Sequence, residues 1–119
     1  MFNIRVYGLL LNERKEVLVS DELIRGTYMT KFCGGGLEKG EGTIDCLKRE
    51  FLEETGQDVI IGDHFYTTDF FQQSAYHKEH QIISIYYKVH PGKDFKVDVK
   101  LTPFDFDERL DDSIAFRWI

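Results

Sequence analysis

GGGLEKGEGTIDCLKREFLEETG, residues 34–56, gathers three glutamates, Glu50, Glu53 and Glu54, within five positions directly behind Arg49. Carboxylates that close repel one another, and a helix that only had to be soluble would intersperse them with lysines. The pattern from Thr43 to Thr55 is helical: Ile44, Leu47 and Phe51 recur at spacings of three and four, and Gly56 follows as a C-terminal cap. At about 100° per residue these apolar side chains form a core-facing stripe, and the glutamates fall within an arc of roughly 100° beside it. Leu52 sits on the other edge of the stripe, so the helix is expected to be covered on more than one side and the acidic arc to wall a cleft. Two readings of the arc compete at this point. It is a solvated face, or it is a site for a hard divalent cation, which takes oxygen ligands and relieves the repulsion.

The neighbouring residues decide between them. Gly35, five residues, Glu41, seven residues, then Arg49-Glu50-Phe51-Leu52-Glu53-Glu54-Thr55-Gly56 resembles the Nudix box, G-x5-E-x7-R-E-U-x-E-E-x-G-U, in which U is a bulky apolar residue. All seven fixed letters are in place, a match with a chance probability on the order of 10⁻⁸ per starting position. One position departs from the pattern: the last U is Gln57, whose packing role is expected to pass to Val59 or Ile60.

The resemblance implies an α/β fold, a Nudix-type α/β/α sandwich around a mixed sheet. The chain stops at Ile119 straight after its late Arg117-Trp118 pair, so the helix that usually follows in the family is expected to be missing. It also implies an activity: hydrolysis of a nucleoside diphosphate linked to another group, with Mg²⁺ or Mn²⁺ as cofactor. Carried over, the metal ligands are Glu50, Glu53 and Glu54, completed by the carbonyl of Gly34, and Glu50 or Glu53 takes a proton from the attacking water. Gly35 and Gly36 let the backbone pass close to the substrate's phosphates. Arg49, four residues before Glu53, is expected to hold that carboxylate in a bidentate pair and to orient it. Glu41 is expected to stabilise the helix N-terminus or to support the site from behind. By family habit a homodimer is expected.

Away from this stretch the chain is mostly strand. Residues 2–11 and 17–20 flank the polar NERKE and read as a hairpin. TYMTKFC, residues 27–33, is a short strand running into a glycine-rich loop, GGGLEKGEG. DVIIGDHFYTTDFF, QIISIYYKVH, the alternating FKVDVKL at 95–101 and the final SIAFRWI complete the set. No repeat, linker or low-complexity tract divides residues 1–119, so a single domain is expected.

The net charge of −6 argues against a grip on nucleic acid, since phosphate neutralisation needs clustered Lys and Arg. An RNA-end decapping enzyme would share the chemistry but needs such a basic track. Nothing reaches the roughly 18–20 apolar residues of a membrane span, and no signal-peptide pattern opens the chain. Cys33 and Cys46 are the only cysteines, too few for a disulfide scaffold, which points to a reduced, cytoplasmic setting.

Secondary candidates lie outside the box. His77 and His80 could share a metal only on a helix, and their segment reads as loop. Asp105, Asp107, Glu108, Asp111 and Asp112 form a second acidic run, read as solvated, from which the family often draws an extra carboxylate. Phe65, Tyr66, Phe70, Phe71, Tyr76, Tyr86 and Tyr87 divide between core and base-stacking roles. Arg25, Tyr28 and Lys31 are placed to meet phosphate or base. Two functions stand: a metal-dependent pyrophosphohydrolase acting on a nucleotide sugar, ADP-ribose or a modified nucleoside triphosphate, or a non-catalytic module that binds such a compound in the same cleft.

Overall fold

The computed structural model describes residues 1–119. Six strands, β1 (Phe2–Leu10), β2 (Leu18–Ile24), β3 (Thr27–Gly36), β4 (Val59–Thr67), β5 (Gln81–Pro91) and β6 (Ile114–Trp118), accompany one helix, α1 (Thr43–Thr55). They form one mixed sheet in the order β4-β5-β1-β3-β2-β6, in which only β1 and β5 run parallel. Alternation sets the buried face of β1: Val6, Gly8 and Leu10 are buried while Arg5, Tyr7 and Leu9 are less so. Here α1 supplies the only helical layer, so the sandwich lacks its second helix.

The hairpin expected from residues 2–20 survives only as the Leu11–Val17 bridge. Its turn closes on Asn12, whose side-chain oxygen accepts from the N–H groups of Arg14 and Glu16 at 2.9 and 3.0 Å. Beyond it β1 and β2 part, because β3 is long enough to serve both: Thr27–Phe32 pairs with β2 and Cys33–Gly36 with β1. The glycine-rich loop is corrected by the same register, since Gly34–Gly36 lie in the ladder opposite Arg5–Tyr7. FKVDVKL is not a strand. It meets β6 at one parallel bridge, Val99–Phe116, and the Lys100 N–H donates to the Phe116 carbonyl at 2.7 Å. Its alternation reflects Phe95 and Val97 packing on the core without a ladder.

Cys46, Leu47 and Phe51 are the buried residues of α1. Ile44 and Leu52, expected in or beside the covered stripe, are 45% and 50% exposed, because only one sheet packs against the helix and Cys46 takes the second inward position. Phe51 lies over Gly8, where an added Cβ would come within 2.7 Å of its ring. Gly56 caps the helix with φ 73°. The packing expected of Gln57 falls to Val59, which is buried, and not to Ile60, which is exposed.

A buried ion pair pins the other end of the sheet. Arg117 forks onto the fully buried Asp21, with Nε–Oδ2 at 2.8 Å and Nη2–Oδ1 at 2.9 Å. The Thr30 hydroxyl donates to Oδ1 at 2.7 Å and the Phe104 N–H to Oδ2 at 3.3 Å. Burial works to raise the Asp21 pKa, but these hydrogen bonds and the guanidinium charge outweigh it and hold the carboxyl below its ordinary value. One side chain thus joins β2, β3, β6 and the segment leading into β6.

Candidate active site

The glycine end of β3 faces the carboxylates of α1. Gly34 has φ 148°, and a Cβ there would sit 2.0 Å from the Val6 carbonyl oxygen, so only glycine fits. At Gly35 a Cβ would fall 2.4 Å from the Glu50 carboxylate. The missing side chains let strand backbone and helix carboxylates touch. The Gly34 N–H donates to Glu54 Oε2 at 3.2 Å. Since Gly35 has ordinary backbone angles, Gly35→Ala tests the contact by steric push alone: kcat/KM should fall about 10²-fold with little loss of helix content. Activity at the unsubstituted level would show that the position of Glu50 does not matter.

Arg49 is held differently from expectation. Its fork closes on Glu41, with Nε–Oε2 at 3.1 Å and Nη2–Oε1 at 2.8 Å, and not on Glu53, which meets Nη1 alone at 3.3 and 3.4 Å. Nη1 also donates to Glu50 Oε1 at 3.0 Å and Nη2 to the Gly36 carbonyl at 3.0 Å. Glu41 precedes the helix, and the fork closes on this more enclosed acid, 16% exposed, rather than on Glu53, 58% exposed. The guanidinium pulls the Glu41 pKa down to about 2. Glu41 does not cap the helix; Gly42 does, its N–H donating to Asp45 Oδ2 at 3.4 Å. Gly36 presents its carbonyl to Arg49 and so supports the site from the strand.

The three glutamates differ in environment. The Glu50 and Glu54 side chains are 16% and 12% exposed, whereas Glu53 is 58% exposed. Burial raises the Glu50 pKa against the opposing pull of Arg49. Burial also pushes Glu54 up to about 8, opposed by Lys31 and reinforced by the charges of Glu50 and Glu22. Lys31 points to these acids: Nζ lies 3.3 Å from Glu22 Oε2, 3.8 Å from Glu54 Oε1 and 3.2 Å from the Gly34 carbonyl. Glu22 is itself fixed by the Ser20 hydroxyl at 2.6 Å.

No three carboxylate, imidazole or thiolate side chains converge as a ready-made cage. Glu50 is drawn to Arg49, Glu54 to Lys31, and Glu53 projects into solvent. The donor chemistry nevertheless fits a hard divalent cation. The oxygens of Gly34, Glu54 and Glu22 already gather on one positive charge, the Lys31 ammonium, and Mg²⁺ asks for one or two carboxylates plus water and phosphate rather than a full protein cage.

Beside Glu54 opens a cleft of about 370 Å³ bounded by Lys96, Lys100, Asp107 and Ile114. Sequence reading missed Lys96, Lys100 and Glu22; the lysines of FKVDVKL were visible only as the polar half of an assumed strand. Of the second acidic run, Asp107 lines this cleft and pairs with Lys100 at 2.9 Å, and Asp111 accepts from the Gly26 N–H at 3.2 Å. His77 and His80 lie in a turn, ring centroids 4.9 Å apart, with no helix to align them. Arg25 sits over the Tyr76 ring and the Tyr28 hydroxyl accepts from Arg109, so neither faces the glutamates. Phe65, Tyr66, Phe70, Phe71 and Tyr76 are exposed, while Tyr86 stacks on Tyr7 and the Tyr87 hydroxyl meets Thr43 on the helix.

A family model, the NUDIX domain, matches residues 1–118. The chain belongs to the NUDIX family. With that membership goes its reaction class, hydrolysis of a pyrophosphate linkage. Solved structures share the Nudix fold at low identity. The MutT protein from Methanosarcina mazei is 21% identical with a TM-score of 0.72, over 99% of this chain and 76% of that one. A NUDIX hydrolase from Nitrosomonas europaea is 24% identical with a TM-score of 0.65, over 100% and 72%. An ADP-ribose pyrophosphatase from Streptococcus suis is 13% identical with a TM-score of 0.60, over 98% and 72%. No curated protein matches the chain. No helix of this Nudix domain is long and apolar enough to cross a membrane.

Proposed function

We propose that this single Nudix domain is a metal-dependent pyrophosphohydrolase that cleaves a nucleoside diphosphate linked to a second group, such as a nucleotide sugar, ADP-ribose or a modified nucleoside triphosphate. The observation that carries the reading is the unequal burial of the glutamates: two carboxylates desolvated against a side-chain-free strand end, with a third left open to water. Burying like charges is costly, and a divalent cation offsets that cost. Glu50, Glu54 and the Gly34 carbonyl, joined by Glu53 from the solvent side, would hold Mg²⁺ or Mn²⁺. When bound, the ion neutralises phosphoryl oxygens and acidifies a water.

The remaining work falls to this chain's side chains. Arg49 fixes Glu50 and keeps its carboxylate against Gly35, so the ligand side does not reorganise during turnover. Glu53, loosely held and exposed, accepts the proton of the attacking water on its carboxylate. The faces of Gly35 and Gly36 are taken by Glu50 and Arg49 rather than left open for the pyrophosphate, and Lys96 across the cleft, beside the Lys100–Asp107 pair, offers charge to the anionic end. A lone pair of lysines and a net charge of −6 suit a small anion rather than a polynucleotide. Both cysteines are free and buried, consistent with a reducing, cytoplasmic setting.

The test is release of phosphate or nucleoside monophosphate from a panel of nucleoside triphosphates, nucleotide sugars, dinucleotides and ADP-ribose, with and without Mg²⁺ or Mn²⁺. Cleavage of one class only with metal is expected; binding without turnover across the panel would make the cleft a ligand-recognition module. Stability provides a second check. The Glu54 value is raised on folding from about 4.3 to about 8, so its contribution is favourable at low pH and is lost as pH rises through about 8. The metal-free protein should therefore lose melting temperature across that window, and Mg²⁺ affinity should rise across it and level off above. A Mg²⁺ affinity independent of pH between about 5 and 9 would exclude Glu54 as a ligand.

A further inference from the structure

We propose that the Lys31 ammonium is a built-in counter-ion, occupying the oxygens of the cation site in the metal-free protein, and that a divalent cation binds by displacing it. The proposal rests on the metal-dependent reading above. Lys31 Nζ is 3.2 Å from the Gly34 carbonyl oxygen, 3.8 Å from Glu54 Oε1 and 3.3 Å from Glu22 Oε2. Its side chain is only 20% exposed, so these oxygens have taken the place of much of the water an ammonium normally holds.

Two of the three oxygens, those of Gly34 and Glu54, are among the ligands assigned to the cation. A second positive charge cannot share them, because two cations a few ångströms apart in a partly desolvated site repel strongly. Glu22 is different. It is anchored by Ser20 at 2.6 Å and has no part in the assigned ligand set, so it is the partner the lysine keeps after the exchange. Each buried carboxylate also has its own organic cation, Arg49 for Glu50 and Lys31 for Glu54. Arg49 is locked by Glu41, Glu50 and the Gly36 carbonyl. Lys31 alone is on a flexible stem with an alternative partner.

A site built in this way holds free cation weakly. It takes the cation up together with a phosphate-bearing substrate, whose negative charge gives the displaced ammonium a second partner. Lys31 is therefore a positioning residue whose effect is opposite in sign to that of a ligand: removing it tightens cation binding.

The experiment is calorimetric titration of the substrate-free protein with Mg²⁺ at one fixed alkaline pH, comparing the unsubstituted chain with Lys31→Met, Lys31→Gln and Lys31→Arg. The neutral variants should bind Mg²⁺ about tenfold more tightly and gain more melting temperature on adding it; Lys31→Arg, which retains the charge, should bind no more tightly than the unsubstituted protein. If Lys31→Met fails to fold, Lys31→Gln carries the comparison. Equal or weaker binding by a folded neutral variant, with normal Mg²⁺ binding by the unsubstituted chain, overturns the counter-ion role and leaves the metal-dependent reading standing. Absence of Mg²⁺ binding in every form, the neutral variants included, overturns the counter-ion role, and the metal-dependent reading then falls only if the substrate panel also shows no metal-dependent cleavage.

Discussion

Glu53→Gln lowers kcat on the preferred substrate about 10³-fold under saturating Mg²⁺, the scale at which a positioned acid or base contributes, and leaves the melting temperature where it was. The separation follows from its surroundings. Glu53 is the exposed member of the three, 58% against 16% for Glu50 and 12% for Glu54, and its contacts to Arg49 are longer than those of Glu50 and Glu41. Glutamine keeps the shape and one oxygen for Arg49, so the fold loses within about 0.5 kcal/mol, as exposed substitutions do. The same change at Glu50 or Glu54 would mix chemistry with the removal of a buried charge. Steady-state kinetics together with a thermal melt read both halves. Turnover at the unsubstituted level would remove Glu53 from the reaction and pass the proton to Glu50.

The second large effect is on stability. Asp21→Asn leaves the Arg117 guanidinium facing an amide that can accept from only one side, while Thr30 and the Phe104 N–H lose a charged acceptor. Breaking a buried pair by removing one partner costs about 3–5 kcal/mol; the lower end applies here because the Arg117 side chain is 17% exposed. Against the roughly 5–15 kcal/mol that a domain has in total, that is a large fraction, measurable as a fall in the urea midpoint. Asp21 has a folded pKa below its unfolded one, so the pair contributes in full above about pH 4 and is lost as pH falls through the lower folded value. The unsubstituted protein should therefore lose stability in acid more steeply than the variant. A midpoint shift worth less than about 1 kcal/mol would mean that the pair is as weak as a surface contact. Because Phe104 hangs on the same carboxylate, the variant should also raise KM through Lys100 and Asp107.

What could be read from the chain and what could not divides along a physical line. The helix and its Gly56 cap depend on contacts within a few residues and stand where the spacing put them; the carboxylate arc divides, Glu50 and Glu54 covered and Glu53 exposed, because that depends on what packs against the helix. Partners set by the tertiary fold did not show. Lys31 and Glu54 are 23 positions apart in the chain, and no local pattern announces that a strand lysine will be folded onto a helix glutamate. Helical spacing alone offered Glu53 to Arg49, and its fork onto Glu41 depended on where the chain enters the helix. FKVDVKL alternates as a strand does, but alternation reports one buried face and not a paired backbone; the neighbouring edge of β6 offers it a single bridge. Aromatic content gave composition, and stacking such as Tyr7 on Tyr86 required the parallel register of β1 and β5.

The placement of Gly34–Gly36 inside the ladder bears on how the site moves. Three consecutive glycines in a connecting loop would exchange their amide hydrogens with solvent almost freely. Here they form the end of β3, laddered on one side to Arg5–Tyr7 of β1 and, past the reach of β2, tied on the other to the helix through Glu54 and Arg49, so they open more slowly than loop glycines would. The backbone beneath the carboxylates is therefore already in its working form before any ligand arrives, and adaptation to one substrate or another is left to the segment between β5 and β6.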